Sequence, residues 1–355
     1  MEHDGLTVGV RMAQSPPTGA VRDAARRFID IGARGLWWAD HLRGFHPPAM
    51  VGAAEEPWRA HAYADPFLCM AALADLPGSP LLGVAVTDAI RRMPATLVQT
   101  VMTIDHLAPG RGVLGLGAGE AVNHRPFGWD VESPAERFAS ASREMRRLLD
   151  DPGPYADGSV MGLRPPPGSA GPQLWLAAHG GQGLELVGEV ADGWLPTQLT
   201  VEAWHAGAAA LRAAAASHGR PDGAIVLGLS INVLLADDHE RAHEELDHPA
   251  NRVLALLAPP STFERHGARH PLGRSTMFRQ FLDDDRVTAA AEAVPPAVVH
   301  DLLPHGTPEE VADRLVEYQG LGHLRLSDVG GRGARRGIGD TRLLEALVGR
   351  LTGAT

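Results

Sequence analysis

The chain has 355 residues, 44% of them hydrophobic and 21% charged, and a formal net charge of −11. That balance supports a large globular core and offers neither nucleic acid nor an anionic membrane surface a basic face to grip; no run approaches the ~18 apolar residues of a membrane helix. A single cysteine, Cys69, excludes an intrachain disulfide, an all-cysteine zinc site and a cysteine-ligated iron–sulfur cluster, and the absence of any lysine removes Schiff-base and Walker-type phosphate chemistry.

The start Met1-Glu2-His3-Asp4 lacks the basic-then-apolar pattern of a secretory signal, so the cytoplasm is the expected location. Thr7–Met12 reads as a first strand, followed by a helix that puts Val21, Ala24, Ala25 and Phe28 on one face before Gly32 breaks it. Further strands read at Gly35–Ala39, Leu81–Val86 and Gly112–Gly117, with a helix at Met93–His106 burying Leu97, Val101 and Ile104. Later strands fall at Gln173–Ala177, Gly193–Leu195, Ile225–Leu234 and His323–Asp328. Thr307-Pro308-Glu309-Glu310 supplies an N-cap, an N1 proline and a capping-box glutamate for a helix burying Val311, Leu315 and Tyr318.

Eight strands alternating with helices imply a parallel sheet, closed or open, and the length suits a (β/α)8 barrel occupying 1–355 as one domain. Residues 151–171 read as a loop or hairpin. Residues 237–305 break the alternation, with Pro259-Pro260, Asp283-Asp284-Asp285 and Pro295-Pro296 among short helical pieces. An insertion after a barrel strand emerges at the C-terminal face, where it is expected to cover the pocket as a lid.

Three segments carry candidate chemistry. Asp40-His41 ends the second strand where barrel enzymes place reactive groups, although the same pair serves equally to fix a loop. Gly115, Gly117 and Gly119 close the fourth strand ahead of Glu120 and let a flat ligand approach the backbone. Val122 stands where the dinucleotide fingerprint needs a glycine, which disfavours a nicotinamide site. Ala178-His179-Gly180-Gly181 joins the fifth strand to a helix whose free amides suit a phosphate, or simply forms a tight turn. The scattered histidines show no metal-ligand spacing, so no metal is expected.

Taken in order, Asp40-His41, Gly117-Ala118-Gly119-Glu120-Ala121-Val122-Asn123 and Ala177-Ala178-His179-Gly180-Gly181 followed by Ala191-Asp192-Gly193-Trp194 resemble the luciferase-like superfamily, in its coenzyme F420-dependent branch. Val84-Ala85-Val86-Thr87-Asp88, Arg91-Arg92-Met93-Pro94-Ala95, Arg265-His266-Gly267 and His270-Pro271-Leu272-Gly273 are similar to the phthiodiolone dimycocerosate ketoreductase group. The resemblance implies a luciferase-like (β/α)8 barrel with F420 across its mouth, FMN being the alternative cofactor. It places Asp40, His41 and Glu120 beside the deazaflavin, and a bulge with a non-proline cis peptide at Val84-Ala85 behind the ring. Gly117, Ala118, Gly119, Asn123, Ala178, His179, Gly180 and Gly181 are then expected to contact the cofactor, with Asn123 and the Gly180-Gly181 turn on its side chain and phosphate.

The implied reaction is hydride transfer from the reduced C5 carbon to a ketone, imine or activated alkene of a secondary metabolite or lipid-like small molecule. His41 or Glu120 supplies the proton; imidazole titrates near neutrality, whereas a carboxyl needs desolvation to stay protonated. An FMN-dependent monooxygenase and a non-catalytic F420-binding protein are the rival readings. A homodimer is the family's expected assembly. The chain departs from relatives at His179, where a small residue is usual, and at Phe45, where some carry tryptophan, and Arg91 and Arg92 become candidates for gripping the coenzyme's acidic tail.

Overall fold

A computed structural model describes residues 5–14, 19–129, 132–150, 162–273, 280, 282–330 and 341–354. Its strands are β1 (Thr7–Arg11), β2 (Gly35–Trp38), β3 (Leu81–Asp88), β4 (Gly112–Gly117), β5 (Gln173–Leu176), β6 (Gly193–Trp194), β7 (Val226–Leu235), β8 (His305–Gly306) and β9 (His323–Asp328). Every pairing is parallel, and β1 to β7 followed by β9 closes on β1 through β6–β7, β7–β9 and β9–β1 contacts. This is a closed eight-stranded barrel with at least one helix after each strand. The eight strands read from the sequence are the eight barrel strands. β8 is additional: two residues long, it pairs only with the upper end of β7 at Leu234 and Leu235, outside the barrel.

Strand parity sorts the side chains. In β1, Val8 and Val10 point outward into the main apolar core, and in β9 so do Leu324 and Leu326. Helix Gly19–Asp30 meets them with Ala25, Phe28 and Ile29, and helix Pro94–Leu107 contributes the expected Leu97, Val101 and Ile104. Helix Pro308–Leu315 begins in a complete capping box, Thr307 accepting from the Glu310 amide while the Glu310 carboxylate accepts from the Thr307 amide. No helix among the described residues is long and apolar enough to cross a membrane.

Inside the barrel, Trp37, Trp175 and His323 form the floor. Their rings meet with centroids 5.2–5.3 Å apart. Glycine makes this possible: a Cβ on Gly9, Gly83 or Gly193 would overlap the Trp37 or Trp175 indole. The Thr7 hydroxyl gives its hydrogen to the Gly322 carbonyl and so takes one from His323 Nδ1 at 2.7 Å, leaving Nε2 to accept the Trp37 indole N–H at 3.0 Å. Burial pushes the His323 imidazole down to about 3, in keeping with this neutral tautomer.

Residues 237–305 lie between β7 and β9. Among the described residues five helices, His239–Leu246, Pro249–Ala255, Pro260–Arg265, Asp284–Glu292 and Pro296–Leu302, form there around a second apolar cluster that includes Leu246, Val253, Phe263, Val287 and Val298. The cluster reaches the strand ends through Leu234, Ala236 and Val329, and Phe45 and Met50 of the segment after β2 pack against it. Arg43 Nη2 pairs with Asp284 Oδ1 at 3.1 Å, and the His46 ring bonds the Ala250 carbonyl. The irregularity of this sequence thus reflects several short helices with a core of their own. Of the loop expected at 151–171, residues 151–161 lie outside the described residues and 162–171 form neither helix nor strand.

Candidate active site

Two segments converge at the C-terminal mouth. His41 follows β2, and Glu120 and Asn123 follow β4 around the short helix Ala121–His124. His41 Nδ1 lies 3.1 Å from Glu120 Oε2. Asn123 Nδ2 lies 2.9 Å from His41 Nδ1 and 2.8 Å from Glu120 Oε2, while its Oδ1 accepts the backbone N–H groups of Leu42 and Arg43 at 2.7 and 3.0 Å. Asn123 is 1% exposed. With both carboxamide atoms engaged by protein, it fastens the loop after β2 to the end of β4 and does not present itself to a ligand. Phe45 and Tyr63 flank the imidazole edge-on, with centroids 5.6 and 5.0 Å away.

Asp40 points the other way, into a buried cage. Its Oδ2 accepts from Thr87 Oγ1 at 2.6 Å and from Arg92 Nε at 2.9 Å, and its Oδ1 faces Arg91 Nη1 at 3.3 Å. Burial alone would raise this carboxyl, but the Arg91 charge and the Arg92 and Thr87 hydrogen bonds outweigh it and hold Asp40 below the usual carboxylate range. Arg91 is anchored on Asp88 Oδ2 at 2.6 Å, and Arg92 extends to Asp65 Oδ2 at 2.7 Å. The two arginines expected to reach a cofactor's tail are therefore spent on Asp40 and its neighbours.

β3 bulges at the mouth. Its register against β4 shifts between Val84 and Thr87, and the cis peptide joins Ala85 to Val86, one residue later than expected. The Val84 side chain is buried in the outer core, so Ala85 and Val86 form the part-exposed face of the bulge. Gly115 and Gly117 answer this bulge: a Cβ at Gly115 would overlap the Val84 carbonyl, and one at Gly117 would lie 2.7 Å from Val86 Cγ2. Their first role is to admit the neighbouring strand. Gly119 has a φ of +89° and turns the chain toward Glu120, with Ala118 exposed beside it.

At the end of β5, helix Gly181–Val190 starts at Gly180 with no side-chain cap. A Cβ on Gly180 or Gly181 would meet nothing within 4 Å, so the side-chain positions at this helix start face open space. Ala178 is buried, its carbonyl accepting the Trp194 indole N–H at 2.8 Å. His179 is reached by solvent yet ringed by protein, as a group lining a concavity is, and that crowding pushes its imidazole down to about 4. Its Nε2 accepts the Thr197 N–H at 3.0 Å, which leaves the ring hydrogen on Nδ1. Among the described residues no cluster of His, Cys, Asp or Glu could hold a metal ion.

The family model for Luciferase-like monooxygenase matches residues 6–325, nearly the whole barrel. The chain belongs to the luciferase-like monooxygenase family. Among relatives of this luciferase-like chain, the phthiodiolone/phenolphthiodiolone dimycocerosates ketoreductase of Mycobacterium kansasii is 31% identical over 312 residues, covering 82% of this chain and 85% of the relative. The 5,10-methylenetetrahydromethanopterin reductase of Archaeoglobus fulgidus is 26% identical over 68% of this chain and 74% of its own. Of solved structures, an F420-dependent secondary alcohol dehydrogenase in complex with an F420-acetone adduct superposes with a TM-score of 0.72 at 18% identity, covering 96% of this chain and 98% of its own. An EDTA monooxygenase from Chelativorans superposes at 0.66 with 16% identity, covering 98% and 92%. Both structures share the luciferase-like barrel.

Within this luciferase-like fold, the expected residues divide into two groups. His41, Glu120, Gly119, His179, Gly180 and Gly181 line the mouth, whereas Asp40, Val84, Ala178 and Asn123 are buried behind it. Sequence reading overlooked Thr87, Asp65 and Tyr63, which are partners of expected residues and carry no spacing signal of their own. Strand parity holds a further signal that it left unused: Arg11 and Arg325 share the inward face with Gly9 and His323.

Proposed function

We propose that this chain is a coenzyme F420-dependent reductase that adds a hydride to a carbonyl, imine or activated alkene of a small molecule. The observation carrying this reading is the His41–Glu120 pair held by Asn123 at the mouth. The likeness to the mycobacterial ketoreductase supports carbonyl chemistry. The open, uncapped start of helix Gly181–Val190 has room and donors for a cofactor phosphate, to which neutral His179 adds an Nδ1–H. Gly119 and the Ala85-Val86 face of the bulge leave backbone accessible to a flat ring. When bound, the reduced deazaflavin supplies the hydride at C5.

The protein's own part is to deliver the proton. Glu120 Oε2 accepts from Asn123 Nδ2 and lies 3.1 Å from His41 Nδ1, close enough to accept a second hydrogen when that nitrogen carries one. With that hydrogen on Nδ1, the Glu120 carboxylate stabilises a protonated imidazole whose Nε2–H is the donor to the acceptor's oxygen or nitrogen. Asn123 and the Asp40 cage act as positioning residues that fix the loop bearing His41. The helices of residues 237–305, docked on the segment after β2, serve as the lid that keeps water from the hydride.

Titration with F420 and, separately, with FMN tests the cofactor, followed by oxidation of reduced F420 in the presence of ketones. Selective FMN binding with oxygen uptake would replace this reading with that of a monooxygenase, the reaction named in the family's description.

A further inference from the structure

Above the Trp37–Trp175–His323 floor, the barrel lumen holds two arginines. Arg325 follows His323 by two residues on β9 and therefore shares its inward face; Arg11 follows Gly9 in the same way on the adjacent β1. Arg325 is 7% exposed; its Nη1 bonds only Ser230 Oγ, at 2.9 Å, on the neighbouring β7, and its buried Nε has no partner. Among the described residues, neither guanidinium has a carboxylate within ion-pair distance. Burial and the adjacent Arg11 charge push Arg325 down to about 9, which still leaves it charged at neutral pH.

An unpaired cation inside a protein is costly unless something compensates it, and here Arg325, opposite Gly9, has the Arg11 charge acting on it from one inward position higher, in a chain whose net charge is −11. Arg11 is part-exposed, so this positive region opens upward to the mouth. Arg11 pairs in register with Trp37, three residues before Asp40, which puts Arg11 about 10 Å below the loop carrying His41, with Arg325 one inward position lower. A low-dielectric lumen with two fork-shaped donors and no acidic partner suits a planar anion.

The geometry points to an anion-binding subsite in the barrel lumen, built by Arg11, Arg325 and Ser230, that takes a carboxylate of the substrate. The acceptor of the proposed reductase is thus an oxo acid or a similar carbonyl compound bearing a carboxylate, anchored below and reduced above. This inference rests on the reading of the site as a reductase for its chemistry, but the anion site can be tested without cofactor.

The experiment is a thermal-shift and calorimetric titration of the cofactor-free protein with levulinate, acetate, inorganic phosphate and neutral pentan-2-one. Levulinate and acetate should stabilise the protein and pentan-2-one should not; in Arg325→Met and Arg11→Met the carboxylate affinity should fall about tenfold or more, the loss of a charge-assisted contact. Arg325→Met alone should also melt at or above the wild-type temperature, because it removes a buried unpaired charge; a purely structural arginine would give a lower one. Absence of carboxylate binding, binding unchanged in both variants, or preference for phosphate would overturn the proposal. So would displacement of levulinate by F420, which would give the subsite to the cofactor. Failure to bind F420 with carboxylate binding intact would count against the reductase reading and leave the subsite standing.

Discussion

His41 Nδ1 and Glu120 Oε2 stand 3.1 Å apart, and Asn123 Nδ2 lies within 2.9 Å of both. Two segments of the chain are tied here by one carboxamide. Replacing the imidazole with His41→Ala should cost about 10²–10³ in kcat/KM with F420 binding retained, the usual contribution of a positioned proton donor. Unchanged turnover in steady-state assays would remove His41 from that role.

Asn123→Ala makes a different prediction. It leaves the Leu42 and Arg43 amides without their acceptor, so equilibrium unfolding should show a loss of about 1–3 kcal/mol. Activity should fall with it because the loop bearing His41 loosens. Retained stability with full activity would show that backbone packing alone holds this loop.

Asp40→Asn leaves Arg91 and Arg92 without their shared carboxylate. Arg91 keeps Asp88 and Arg92 keeps Asp65, so neither cation is left unpaired; losing the charge-assisted hydrogen bonds to Asp40 should cost about 1.5–3 kcal/mol and lower the urea midpoint. Asp40 is held below its ordinary value of 3.8, so its contribution is fully present above that pH and is lost as the pH falls through the lower folded value. Asp40→Asn should therefore flatten the acid limb of the stability curve below about pH 4.

His323 governs a separate pH range. Its folded value of about 3 lies below the unfolded value of 6.5, so only the unfolded chain takes up a proton between them. Its contribution is complete above pH 6.5 and is lost as the pH falls toward 3, by about 1 kcal/mol per unit. Comparing denaturation midpoints at pH 7 and pH 5 checks this, since His323→Phe should lose that part of the slope.

The mouth glycines should divide sharply. Gly115→Ala would drive a methyl into the Val84 carbonyl and is expected to prevent normal folding or cost more than ~3 kcal/mol. Gly180→Ala meets nothing within 4 Å and should leave the melting temperature nearly unchanged. It should nonetheless weaken F420 binding, measured by fluorescence, by crowding the phosphate site. Equal cofactor affinity in Gly180→Ala would move that site elsewhere.

Much of this architecture is legible in the sequence. The barrel strands show as short apolar runs between helical periods, and the Thr307 capping box names its helix start outright. β8 is hidden because His305-Gly306 lies between Pro304 and the capping box with no apolar run, whereas the equally short β6 sits in Gly193-Trp194-Leu195. The proposed proton-delivering pair, His41 and Glu120, is legible because strand ends are where barrel enzymes keep such groups. The buried duty of Asp40 is not, since its partners Thr87, Arg91 and Arg92 lie 47–52 positions away. Gly115 and Gly117 are visible as glycines, but the bulge they accommodate is a feature of the next strand. Arg325 is legible only in part: in His323-Leu324-Arg325-Leu326 parity sets the arginine on the face opposite the two leucines, and closure of the sheet is what makes that face the lumen.

The indole of Trp37 lies across Gly9, Gly35 and Gly83, three positions with no side chain to meet it. The depth of the chamber is consequently set by one trio of rings, Trp37 with Trp175 and His323, while its width is set by the strand backbones that Trp37 crosses. A smaller residue at position 37 would lower the floor without disturbing a strand, whereas a larger acceptor would find the walls fixed. Substrate length is therefore the dimension along which this scaffold is easiest to retune, independently of the residues that move the proton.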